Sequence, residues 1–150
     1  MREAIGSGIK QAMKARDAER LSTLRLISAG IHDRDIEARG KGKGTATDDE
    51  LATLLARMIR QREESARLYE EGKRPELAAK ELAEIEVIRE FLPQQMAAEA
   101  VEAAINAAIA DAGAASLRDM GRVMALLKER HGGAMDFSAA SAKVKAALAG

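Results

Sequence analysis

The sequence has no cysteine and no tryptophan, only two prolines and two histidines, and three aromatic side chains in all, Tyr69, Phe91 and Phe137. Without cysteine there are no disulfides, no thiolate metal ligands and no cysteine nucleophile. With so few aromatics, binding single strands by base stacking is disfavoured. A core must be built from Leu, Ile, Val, Met and Ala, which favour or tolerate helix, and not from strand-favouring rings. No stretch approaches the roughly 20 apolar residues of a membrane span. Arg2 and Glu3 are followed by Gly, Ser and Lys before any run of signal-peptide length can develop. These absences lead to the expectation of a cytoplasmic protein.

The scarcity of histidine also limits chemistry. His32 falls mid-helix and His131 at a glycine-flanked helix end, and neither has an identifiable partner serine for a Ser-His-Asp arrangement. His32, Asp33 and Asp35 are scattered around a helix and make a poor metal cage. The glutamates lack the Glu-x-x-His spacing of a di-iron bundle. No catalytic residue, metal or cofactor is therefore expected.

Charge is abundant but balanced, with 24 basic and 24 acidic side chains. Residues 1–44 hold 10 Lys/Arg against 6 Asp/Glu, residues 45–92 hold 8 against 12, and residues 93–150 hold 6 of each. Bulk attraction to a polyanion is not indicated, so any nucleic-acid contact must use a local patch.

Apolar residues recur at helical spacing along the whole chain, which predicts an all-α fold. A first helix over about Arg2–Arg16 carries Ile5, Ile9, Ala12 and Met13. A second, to Arg39, carries Leu21, Leu24, Ile27 and Ile31. GKGKGT (Gly40–Thr45) breaks the pattern and lacks the spacing of a P-loop, so it reads as a soluble inter-helix loop. Thr47-Asp48-Asp49-Glu50 is a capping box opening a third helix to about Glu71, with Leu51, Leu54, Leu55 and Met58 inward. Arg62 lies within that apolar stripe and is expected to lay its stem on the core and pair with a carboxylate. Glu63 with Arg67 is one ion pair available on the outer face.

Gly72 and Pro75 mark the turn into a fourth helix, with Ala78, Leu82, Ile85, Ile88 and Leu92 on its apolar face. Pro93 ends it, and Leu92 should be its last or nearly last residue. Beyond Pro93 the composition changes: 19 of the 54 residues from Ala97 to Gly150 are alanine. Three further helices are predicted there, over about Ala98–Ala112, from Ser116 to the His131-Gly132-Gly133 break, and over about Ser138–Ala149. The expected organisation is a four-helix N-terminal subdomain over 1–92, a connector over 93–97 and a smaller three-helix C-terminal subdomain over 98–150.

One polar group of residues invites a functional reading. Arg118 and Arg122 are four apart at the start of the sixth helix, opposite its Met120/Leu127 stripe, and repel unless an anion sits between them. With the helix amides beside them they could grip a phosphate, and Lys128, Lys143 and Lys145 would widen the patch. The ordinary alternative pairs these arginines with Asp119 or Glu129.

The runs RLSTLRLI (Arg20–Ile27), RQREESARLYEEGKRPELAAKELAEIEVIREFLPQQM (Arg60–Met96) and DMGRVMALL (Asp119–Leu127) resemble the bacterial YqeY proteins of the GatB/YqeY family, over nearly the whole chain. The resemblance implies the four-plus-three helical organisation and a relationship to the tail of the B subunit of tRNA-dependent amidotransferases. A similar module is appended to some glutaminyl-tRNA synthetases. In the amidotransferase that tail is associated with tRNA, while ammonia production and the kinase-like step belong to other domains. The implied function is a non-catalytic tRNA-binding accessory module, with tRNA and an amidotransferase or aminoacyl-tRNA synthetase as partners. Two alternatives stand beside it: a helical protein-protein adaptor with no nucleic-acid role, and a carbon-nitrogen ligase with glutamine as amido-N-donor, as the family name would imply. No catalytic residue is carried over by the resemblance.

Overall fold

The computed structural model describes residues 1–149 and is all-helical, with no strand among the described residues. Among the described residues seven α-helices run in order: α1 (Arg2–Ala15), α2 (Ala18–Gly40), α3 (Asp48–Glu71), α4 (Pro75–Arg89), α5 (Ala98–Ala112), α6 (Met120–His131) and α7 (Phe137–Ala149). A 3-10 turn, Leu117–Asp119, leads into α6. The chain forms two compact units, Met1–Leu92 and Pro93–Gly150, and each is described by itself.

The first unit is built on α1 to α4. Its core is aliphatic: Leu24 and Ile27 from α2, Leu51 and Leu55 from α3 and Ile88 from α4 are fully buried. Each such side chain contributes about 1.5–3 kcal/mol by leaving water, before conformational entropy is set against it. Thr23 is also buried, and its hydroxyl is satisfied by donating to the Glu19 carbonyl at 3.3 Å within the helix. Asp17 caps α2 by accepting from the Arg20 N–H at 3.1 Å. Thr47 caps α3 in the same way, accepting from the Glu50 N–H at 3.2 Å, while Glu50 reaches back to the Thr47 hydroxyl and not to its amide.

Arg62 behaves as its place in the stripe predicts: its Nε donates to Glu84 at 3.0 Å, joining α3 to α4 with both side chains mostly covered. Other details differ from the sequence reading. Arg67 pairs with Glu64 and Glu71, one turn to either side, and not with Glu63. Leu82 is 47% exposed, because the buried face of α4 runs through Ala78, Ile85 and Ile88 and leaves Leu82 at its edge. The regular helix stops at Arg89, three residues before Leu92. Phe91 and Leu92 donate to the carbonyls of Ile88 and Arg89 in tightened turns, as the restriction that Pro93 imposes on its predecessor requires.

The second unit packs α5, α6 and α7 around Ile105, Ala108, Val123, Leu127, Ala140 and Val144. Gly113 closes α5 in the left-handed region (φ +63°), where its N–H donates to the Ala110 carbonyl and that of Ala114 to Ile109. Residues 93–97 make bonds of their own to the loop between α6 and α7. The Gln95 side-chain amide donates to the carbonyls of Pro93 at 2.7 Å and Gly133 at 2.8 Å, and the Met96 N–H donates to Ala134 at 2.9 Å.

Candidate nucleic-acid interface

Ser116 and Asp119 form a capping box, as their spacing predicts, but the first turn behind it is 3-10 and the α-helix begins only at Met120. The Asp119 carboxylate gathers three donors: the Ala115 N–H at 2.9 Å, the Ser116 N–H at 3.3 Å and the Arg122 guanidinium at 2.5 Å. The Ala115 amide, then Arg122, then Ser116 hold its pKa below the ordinary carboxylate value.

The five basic residues named above therefore fare differently. Arg122 is drawn onto Asp119, the ordinary alternative to an anion between it and Arg118. Arg118 sits within the 3-10 turn, exposed, with no ion-pair partner among the described residues. Lys128 is exposed on the last turns of α6. Lys143 and Lys145 flank the buried Val144, so they leave α7 about 100° to either side of its core-facing line. The fold thus places all five on the surface of one unit and joins none to another.

A second polar cluster, which nothing in the sequence reading brings together, lies in the first unit. Asp35, 8% exposed, accepts both forks of the Arg2 guanidinium, each at 2.7 Å, and the Ala46 N–H at 2.9 Å. Arg2 also donates to the Ala46 carbonyl at 2.9 Å. The hydrogen bonds from Arg2 and then Ala46 bring the Asp35 carboxyl down to about 2. One carboxylate so fixes the start of α1 and the end of the glycine-rich loop on α2. A hint was present in the sequence: Asp35 is one helical turn beyond Ile31, on the core-facing stripe. His32 lies exposed beside it, and no three His, Asp or Glu residues come together as a metal cage among the described residues.

Comparison with known proteins gives these observations a family context. Altered inheritance of mitochondria protein 41, mitochondrial, of Lachancea thermotolerans is 34% identical over 105 residues, covering 69% of this chain and 52% of that protein. The proteins of the same name from Clavispora lusitaniae and Saccharomyces cerevisiae are 33% and 29% identical over 84 and 86 residues, covering 56% and 57% of this chain and 46% and 45% of theirs. The chain thus spans about half the length of the curated relatives it matches. Their names overturn the cytoplasmic expectation, since they are mitochondrial proteins. Lack of cysteine reports at most a reducing environment, which does not identify the cytoplasm. No helix among the described residues is long and apolar enough to cross a membrane. A family model described as Yqey-like protein matches residues 2–148, and the chain belongs to that family.

Proposed function

We propose that this chain is a non-catalytic accessory module that binds tRNA, resembling the tail of the tRNA-dependent amidotransferase B subunit and serving tRNA-linked glutamine and asparagine metabolism. The observation that carries the reading is the exposure of Arg118, Lys128, Lys143 and Lys145 without acidic partners among the described residues, in a unit whose formal charges balance. Cations left unpaired in this way are available to phosphate oxygens, and contact through backbone and shape needs no aromatic platform. The module is organised as a four-helix N-terminal subdomain and a smaller three-helix C-terminal subdomain, the second presenting the basic residues. An amidotransferase or aminoacyl-tRNA synthetase is the partner class that this role implies.

A filter-binding salt titration tests the reading. Affinity for tRNA is expected near 50 mM salt, with the log-log slope falling by about 0.9 for each phosphate contact removed. Absence of binding at that salt, or a slope unchanged when Arg118 and the three lysines are replaced by alanine, would refute it.

A second reading, a helical protein adaptor, is favoured by the exposure of Leu26, Ile36 and Leu68, which are each about half exposed on helices of the first unit. A partner retained in a pull-down from nuclease-treated extract would favour it. The carbon-nitrogen ligase alternative requires turnover of Glu-tRNA(Gln) by the purified chain with glutamine and ATP, and that assay addresses it directly.

A further inference from the structure

Between the first turns of α2 and the middle of α4, within the first unit, lies a half-open groove of about 740 Å³. Its lining includes short side chains on both helices, Ser22 and Thr23 from α2 and Ala79 and Ala83 from α4, with Val87 beside them. Ala79, Ala83 and Ser22 are exposed there. Short side chains on both walls let another backbone approach closely, which is what a packed helix needs and what an extended polar ligand does not use.

The lining is also acidic. Four carboxylates, Asp17, Glu19, Glu76 and Glu84, line the groove against two cations, Arg20 and Lys80. Two of these charges are already committed: Arg20 donates to Glu90 at 2.5 Å, and Glu84 receives Arg62 at 3.0 Å. That leaves Glu19, Glu76 and Asp17, the last also capping α2, against the single Lys80. The negative field of this lining opposes a nucleic acid or an anionic lipid surface and attracts a cation-bearing segment.

From the short and apolar side chains and the excess of carboxylates in one lining, we infer that the α2/α4 groove is a docking site for a basic amphipathic helix of a partner protein. Its apolar stripe lies over Ala79 and Ala83, and its Lys or Arg residues lie beside Glu19 and Glu76. Such helices seat their apolar face in a groove and read partner identity through flanking charge. This site is separate from the basic residues of the second unit and does not depend on the tRNA reading.

The test uses the full chain and two synthetic helical peptides of about four turns, with the same Leu/Ala face flanked either by lysines or by glutamates. In amide chemical-shift titrations the lysine peptide is expected to move the signals of Ser22, Ala79, Ala83 and Val87, and the glutamate peptide to leave them in place. Ala83→Arg, which fills the groove, and Glu19→Lys/Glu76→Lys, which leaves its shape intact, are each expected to weaken the lysine peptide at least about tenfold with unchanged helical circular dichroism. No shift with the lysine peptide, equal shifts with both peptides, or shifts centred elsewhere would overturn the assignment. So would undiminished binding by the charge-reversed variant. Titration with tRNA in the same samples is expected to leave the four signals unmoved, so loss of tRNA binding and loss of peptide binding are read separately.

Discussion

Arg2 and Asp35, 33 residues apart in sequence, meet through two parallel hydrogen bonds of 2.7 Å, and the same carboxylate takes the Ala46 amide at 2.9 Å. A fork-on-carboxylate pair of this kind fixes direction as well as distance. Asp35→Asn keeps the shape but loses the charge and one acceptor. It is expected to lower the thermal midpoint and to speed hydrogen exchange at the Ala46 amide. An unchanged exchange rate there would show that the loop is held by something else.

The same cluster predicts an acid dependence. In the unfolded chain Asp35 titrates near its ordinary value of 3.8, and in the folded chain at about 2. The folded state therefore holds the proton less tightly. The stabilisation is complete above about pH 4 and is lost as pH falls through the folded value. Urea midpoints measured from pH 5 down to pH 2 are expected to converge between the native sequence and Asp35→Asn at the acid end. Glu64 and Asp119, whose values are also lowered, act in the same direction in both proteins and cancel in the difference.

Two glycines give opposite expectations. A Cβ at Gly6, inside α1, meets nothing within 4 Å, so Gly6→Ala should stabilise the first unit by about 0.5–1 kcal/mol through the better helix former. Gly113 has equally open space but φ +63°, so Gly113→Ala should cost about 1–2 kcal/mol. Denaturant melts with equal effects at both positions would contradict the backbone argument.

Leu127 is fully buried among Ile105, Val123 and Val144 in the second unit. Leu127→Ala is expected to cost that unit about 2–5 kcal/mol. Under the proposed two-subdomain organisation, amide exchange at Leu24, Leu55 and Ile88 in the first unit should be unaffected. Equal loss of protection in both would mean that they unfold as one.

Under the proposed tRNA reading, two arginines that sequence spacing alone treats as equals become unequal. Arg122 already donates to Asp119 at 2.5 Å, whereas Arg118 has no such partner among the described residues. Arg118→Ala is therefore expected to reduce the salt slope by about 0.9, and Arg122→Ala by less. The reverse order in filter binding would assign the contact to the paired residue.

Where sequence and structure agree, the cause is local. Thr47 and the Ser116/Asp119 pair mark helix starts because their side chains answer amides only three or four residues away. Pro75 marks a start through its fixed φ and Gly113 an end through the left-handed conformation it adopts freely, whereas Gly72 ends α3 at φ −79° and the left-handed residue there is Lys73. Arg62 was readable as well, since a cation inside an apolar stripe must find a carboxylate, although nothing local named Glu84. What escaped is non-local. The partner of Asp35 lies on another helix, and the fate of Leu82 depends on the angle at which α4 meets its neighbours. The α2/α4 groove has no sequence signature, because its walls come from stretches about 60 residues apart. The cytoplasmic expectation failed for a different reason: it rested on what the chain lacks, and absence of cysteine does not name a compartment.

The bonds from Gln95 to Gly133 and from Met96 to Ala134 decide where the chain can be divided. A C-terminal fragment that starts at Ala98 would leave those two carbonyls without their donors and strip Met96 from the apolar cluster it packs against. One that starts at Pro93 keeps both. Anyone dissecting the molecule should therefore cut ahead of the proline, and the QQM segment travels with the alanine-rich half.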